Sequence, residues 1–126
     1  MHLHAVTIVV PDYDAGLAFY VDTLGFNLID DIDLGDGKRW VLISPGGDAH
    51  ILLAKATTDS QTAAIGNQTG GRVGFFLHSD DFDKDYARMK SAGVTFLEEP
   101  RHEAYGEVVV FSDPWGNKWD LLQLKK

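Results

Sequence analysis

The sequence predicts an α+β protein made of two βαβββ modules that together form a cupped, mixed sheet. Three observations predict it. Apolar residues alternate along short stretches as strands require, and each half of the chain carries one helical stripe closed by glycine. The second half then repeats the order of the first, which is the strongest of the three because two stretches agree independently.

The first module, residues 1–55, opens with an alternating stretch from Leu3 to Val10 that stops at Pro11-Asp12. A helix is expected over Asp14–Leu24, where Leu17, Tyr20, Val21 and Leu24 fall at i, i+3, i+4 and i+7. Gly25 then occupies the position where a helix ends in left-handed backbone. A strand follows from Gly25 to Asp31, and two more are expected over Arg39–Ser44 and Ala49–Lys55, joined by Pro45-Gly46-Gly47-Asp48.

The second module, residues 72–126, repeats this. A strand over Arg72–His78 ends at Ser79-Asp80-Asp81, and a helix over Phe82–Ala92 carries Phe82, Tyr86 and Met89 on one stripe before Gly93. Asp12 and Asp80 are 68 residues apart, and so are Gly25 and Gly93. Gly93–Glu99 matches Gly25–Asp31, and strands over Glu107–Ser112 and Lys118–Leu124 flank Asp113-Pro114-Trp115-Gly116-Asn117. Residues 56–71, rich in Thr, Gln, Asn and Gly, read as a linker with a short helical turn at Gln61–Ile65. Each module has one helix for two sheet faces, so each leaves one face uncovered. A small-molecule site between facing sheets follows as an expectation.

Composition narrows the partners. The 126 residues, 44% of them apolar, suffice for one domain with a core. No apolar run approaches the roughly 18 residues of a membrane span, and no secretory signal is visible, so a cytoplasmic location is the default expectation. The absence of cysteine removes disulfides and thiolate chemistry. A net charge of −8 without any basic cluster argues against nucleic acid and anionic membranes, and it mildly favours a cationic small molecule.

The motifs Val9-Val10-Pro11-Asp12, Phe19-Tyr20 and Leu24-Gly25-Phe26, with Phe111-Ser112-Asp113-Pro114-Trp115-Gly116-Asn117-Lys118-Trp119-Asp120-Leu121-Leu122, resemble the vicinal oxygen chelate superfamily. That superfamily includes glyoxalase I, extradiol dioxygenases, fosfomycin-modifying enzymes and metal-free bleomycin-binding proteins. The resemblance implies a glyoxalase/bleomycin-resistance-like fold and a homodimer whose modules pair within or between subunits. It leaves the chemistry open, since one fold hosts many sites.

The resemblance also implies where a divalent metal would be held, on the first and last strand of each module. Here the first such position falls at Ala5, which cannot coordinate, and alternation turns the neighbouring His4 away. The next falls at His50 or Leu52, the third at Gly74 or Arg72 with His78 further along the same face, and the last at Asp120. Asp120, His50 and His78 are therefore the metal candidates, and Asp120 and His50 the catalytic ones. A catalytic metal usually needs three protein ligands, so the set is incomplete.

For ligand binding the candidates are Tyr105 and Arg101, in the loop Glu98–Gly106, together with Trp115, Phe76 and Arg72. Arg101 is suited to a carboxylate or phosphate, and Trp40, Phe76, Trp115 and Trp119 supply aromatic surface that can hold an organic cation. The expected function is binding of an aromatic or cationic organic ligand, with no cofactor. The alternative is a lyase, isomerase or extradiol-type dioxygenase using Ni, Zn, Fe or Mn on Asp120 and His50. A glutathione substrate would draw only on Arg72 and Arg101 for basic contacts. A metal-independent enzyme with Asp120 or His50 as general base is a third reading.

Overall fold

A computed structural model describes residues 1–126. The chain divides into two compact units, Met1–Gln68 and Thr69–Lys126.

In the first unit the order is β1 (Val6–Val10), α1 (Tyr13–Leu17), a π-helical segment (Ala18–Thr23), β2 (Asn27–Gly35), β3 (Lys38–Gly46), β4 (Ala49–Lys55) and α2 (Asp59–Ala64). The sheet runs β1-β4-β3-β2, with β1 parallel to β4 and the other pairs antiparallel. Asp12 caps α1 by accepting from the Ala15 amide. The expected 3.6-residue stripe slips because Leu24 N–H reaches back five residues to Phe19 O. The wider turn brings Phe19 into the core beside Tyr20 and Leu24.

These side chains share the core with Ile8, Val10, Val41, Ile43, Ile51 and Leu53, which register places on one face of the sheet. A glycine lets the helix come close. A Cβ on Gly16 would meet Leu53 Cδ1 at 3.0 Å and Val10 Cγ1 at 3.2 Å. The opposite face carries Thr7, Val9, Trp40, Leu42, Leu52 and Ala54.

The stretch 56–71 is more structured than its composition suggests. It holds α2, capped by the Thr58 side chain, and it returns to β1 through Gln68. The Gln68 amide donates to Thr7 O at 2.8 Å and accepts from Val9 N at 3.0 Å. It thereby satisfies two backbone groups on the outer edge of β1, as a neighbouring strand would.

In the second unit the order is β5 (Val73–His78), α3 (Phe82–Ser91), β6 (Thr95–Phe96), β7 (Arg101–Glu103), β8 (Gly106–Ser112) and β9 (Lys118–Leu124). The sheet runs β5-β9-β8-β6, and β7 also pairs with β8. Val109, Phe111, Trp119 and Leu121 lie on one face by cross-strand register and are buried, as are Phe82 and Met89 of α3. Trp119 stacks on Phe75 at 4.6 Å and on Phe111 at 5.8 Å. Its ring belongs to this core and is not exposed aromatic surface.

The strand expected over Gly93–Glu99 shrinks to Thr95–Phe96 because β7 takes up most of β8's free edge. The stretch read as a loop, Glu98–Gly106, thus contains a strand, with only Ala104 and Tyr105 left as its hairpin turn. Gly106 is fixed by crowding, since its φ is +148° and a Cβ would meet Gln123 O at 2.1 Å.

Candidate functional site

In β9 the side chains alternate strictly. Trp119 and Leu121 enter the core, so Lys118, Asp120 and Leu122 face the other way. Register sets Asp120 directly beside Phe76 of β5 and Val110 of β8. The surrounding pocket of about 530 Å³ is lined by Arg72, Val73, Phe76, Leu97, Glu98, Val110, Lys118 and Asp120. All of these belong to the second unit.

Two features set this pocket apart. Phe76, a large apolar ring, is 68% exposed. Beside it the Asp120 Oδ1 atom is buried with no hydrogen-bond partner. Burial pushes the Asp120 carboxyl above its ordinary value. The Arg101 charge opposes that rise, and the Glu98 charge adds to it.

The cations of the site divide into engaged and free. Arg101 donates from Nε to Glu98 Oε2 at 2.7 Å and from Nη1 to Glu103 Oε1 at 2.9 Å, which raises its own pKa. Two carboxylates already occupy the guanidinium edges suited to a ligand carboxylate or phosphate. Arg72 and Lys118 join none of the ion pairs. Lys118, absent from the candidate residues that the sequence offers, stands two residues before Asp120 and so shares its face.

The other candidates lie as follows. Tyr105 sits half-exposed at the β7–β8 turn. Trp115 is partly buried in the β8–β9 turn, where Asp113 Oδ1 accepts from the backbone N–H groups of Trp115, Gly116 and Asn117. His78 shares the face of Phe76 but is exposed and turns Nδ1 toward Asp80 Oδ1 at 3.8 Å. In the first unit, His50 keeps Nδ1 buried without a partner. Its ring lies 5.3 Å from that of His4. His4 was expected to turn away, but residues 1–5 precede the first strand, so strand alternation does not govern them. Trp40 lines a separate, more apolar hollow of about 830 Å³ with Thr7, Val9, Leu52 and Ala54.

As a metal site the donor set does not fit. Neither unit gathers three His, Asp or Glu side chains into a group able to hold an ion. Asp120 has an aromatic ring and an aliphatic side chain for its nearest cross-strand neighbours, where a metal would need imidazole or carboxylate. His50 has the His4 ring 5.3 Å from its own and belongs to no cluster of three such donors.

The sequence model of the Glyoxalase/Bleomycin resistance protein/Dioxygenase superfamily matches residues 2–121. An uncharacterized protein of Shewanella frigidimarina (strain NCIMB 400) is 48% identical over 122 residues, covering 94% of this chain and 90% of its own length. Among solved structures, UcmS2 is similar with a TM-score of 0.82 and 31% identity, covering 97% of each chain. TnmS3, an antibiotic binding protein from Streptomyces sp. CB03234, is similar with a TM-score of 0.81 and 32% identity. That match covers 99% of this chain and 97% of TnmS3. With a βαβββ order in the first half and the same order with one added short strand, β7, in the second, the chain belongs to the glyoxalase/bleomycin resistance protein/dioxygenase superfamily.

Proposed function

We propose that this chain is a binding protein that takes an aromatic or cationic organic molecule against the Asp120 face of the second sheet, without a resident metal. The observation that carries the reading is the pairing of an exposed Phe76 ring with a buried, unpartnered Asp120 oxygen. A buried acceptor without a donor is costly, and a ligand group that donates to it relieves that cost. An aromatic face beside it gives ring-to-ring contact or holds a cation. The similarity to TnmS3, an antibiotic binding protein, supports the same reading. We further propose that the chain works as a homodimer.

The test has two steps. Protein purified without a histidine tag is assayed for metal content and then titrated calorimetrically with Ni, Zn, Fe and Mn. A panel of aromatic and cationic antibiotics is next titrated against intrinsic tryptophan fluorescence. The expected result is no tight ion and at least one saturable organic ligand, weakened in Asp120→Ala. One tight ion per chain, lost in Asp120→Ala, would overturn the proposal in favour of a metal-dependent lyase, isomerase or dioxygenase.

A further inference from the structure

The pocket around Asp120 is electrically lopsided. Strands β5 and β9 run parallel, and each brings a cation to its N-terminal end, Arg72 just before β5 and Lys118 as the first residue of β9. Val73 opposes Lys118, so the two cations stand at the same end of the strand pair. Neither has an anionic partner within the chain. At the level of Asp120, two residues past Lys118 on β9 and, across a register shift, three residues past Val73 on β5, the pocket becomes acceptor-rich. There Asp120 offers its unpartnered oxygen, and Glu98, which lines the same pocket, holds the Arg101 guanidinium. Arg101 is in turn shared with Glu103, so this end keeps its negative excess.

The apolar surface of the pocket comes from Val73 at the cationic end, from Phe76 and Val110 beside Asp120, and from Leu97. Residues two apart on a strand are separated by about 6.6 Å, since each residue advances roughly 3.3 Å. The long Arg72 and Lys118 side chains extend that span beyond the backbone spacing, so it suits a two-ring aromatic system carrying a substituent at each end.

On the binding role proposed above, we infer that the ligand is a dipolar aromatic molecule. An anionic group at one end meets Arg72 and Lys118, the ring lies on Phe76, and a neutral hydroxyl or amine at the other end donates to Asp120. An anion alone would leave the Asp120 oxygen unsatisfied, and a cation alone would meet Arg72 and Lys118 at the opposite end. The dipolar ligand answers both.

Three probes on one scaffold test this at neutral pH: naphthoic acid, naphthylamine, and an aminonaphthoic acid with its two substituents at opposite ends. Fluorescence titration of the unaltered protein is expected to show the aminonaphthoic acid binding about tenfold more tightly than either single-substituent probe, roughly 1.4 kcal/mol. In Asp120→Ala the aminonaphthoic and naphthoic acids should bind alike. In the Arg72→Gln, Lys118→Gln double variant the aminonaphthoic acid and naphthylamine should bind alike. Each variant's circular dichroism and thermal midpoint are checked against the parent. The three-probe comparison on the parent stands even where a variant fails to fold. If naphthylamine or naphthoic acid binds as tightly as the aminonaphthoic acid, the dipolar ligand is wrong while the binding role stands. If none of the three binds while a compound of the antibiotic panel does, the dipolar ligand is wrong and the binding role stands; if the panel also gives no saturable ligand, the binding role itself falls.

Discussion

The Asp120 side chain stands on the outward face of β9, with one carboxylate oxygen buried and unpartnered beside the exposed Phe76 ring. An acid between Trp119 and Leu121 on an apolar strand is conspicuous, because a carboxylate in that company needs a reason. Its companions are not conspicuous. Lys118 at a strand start reads as a solvated charge, and Arg101 gives no sign in one dimension that Glu98 and Glu103 both claim it. The His4–His50 contact was equally hidden, since it depends on where β1 begins. The buried carboxyl has a consequence for stability. Desolvation favours its neutral form, so in the folded chain it titrates above its ordinary value of 3.8. Below 3.8 both folded and unfolded chains hold the proton. As pH rises past that value the unfolded chain ionises first, and stability falls until the folded-state carboxyl has ionised as well. Asp120→Asn removes this ionisation. Its stability relative to the parent is expected to rise as pH climbs past 3.8 and then to level off. Thermal midpoints of the two proteins across a pH series would show it. A difference that stays flat with pH would mean that burial does not raise this carboxyl.

Strands and helices were read well where periodicity speaks for itself. The segments 49–55 and 118–124 appear as strands with the expected ends, and Gly25 and Gly93 close their helices at φ values of +86° and +89°. What the pattern could not convey was pairing beyond neighbours in sequence. A three-residue strand such as β7 is too short to show a period, and it exists because β8 offers it an edge. Gln68 reaches β1 across some sixty residues, which no local signal records. The turn between β8 and β9 is the opposite case, because its cause is local. Asp113 is buried, accepts three backbone N–H groups on Oδ1, and holds the Asn117 side chain through Oδ2 at 2.8 Å. Removing the carboxylate strips four hydrogen bonds at once and leaves the buried Asn117 amide without its partner. Asp113→Ala is therefore expected to cost roughly 3 kcal/mol, and Asp113→Asn distinctly less because one acceptor oxygen survives. Chemical denaturation of the two variants measures both. Losses under about 0.5 kcal/mol in both would show that the turn is held by its Pro and Gly residues rather than by this carboxylate.

At the scale of the whole molecule, the balance of charge and apolar surface bears on assembly. A net charge of −8 keeps copies apart at long range, yet the chain exposes more large apolar side chains than solubility needs. In the first unit these concentrate on β2, an edge strand paired only with β3. Leu28, Ile32 and Leu34 are each about half exposed there, and the outer edge of β2 has no strand beside it. Unguarded edges are a hazard that proteins ordinarily cover. The acids Asp30, Asp31 and Asp33 guard this one only in part, since Arg39 ties Asp31 down at 2.7 Å while also gripping Asp14 at 2.9 Å. In the second unit Phe76 and Leu97 are exposed around the candidate site. A second copy that covers the β2 edge would reconcile so acidic a chain with so much apolar surface. Sedimentation velocity in the micromolar range is expected to find a particle of about twice 13.9 kDa, stable to moderate salt because its contact is apolar. The double substitution Ile32→Asp, Leu34→Asp should return a 13.9 kDa species with unchanged circular dichroism. A parent chain that sediments at 13.9 kDa throughout would refute the dimer. A dimer that survives the double substitution would place its interface away from β2, and Phe76 and Leu97 would be the next side chains to change.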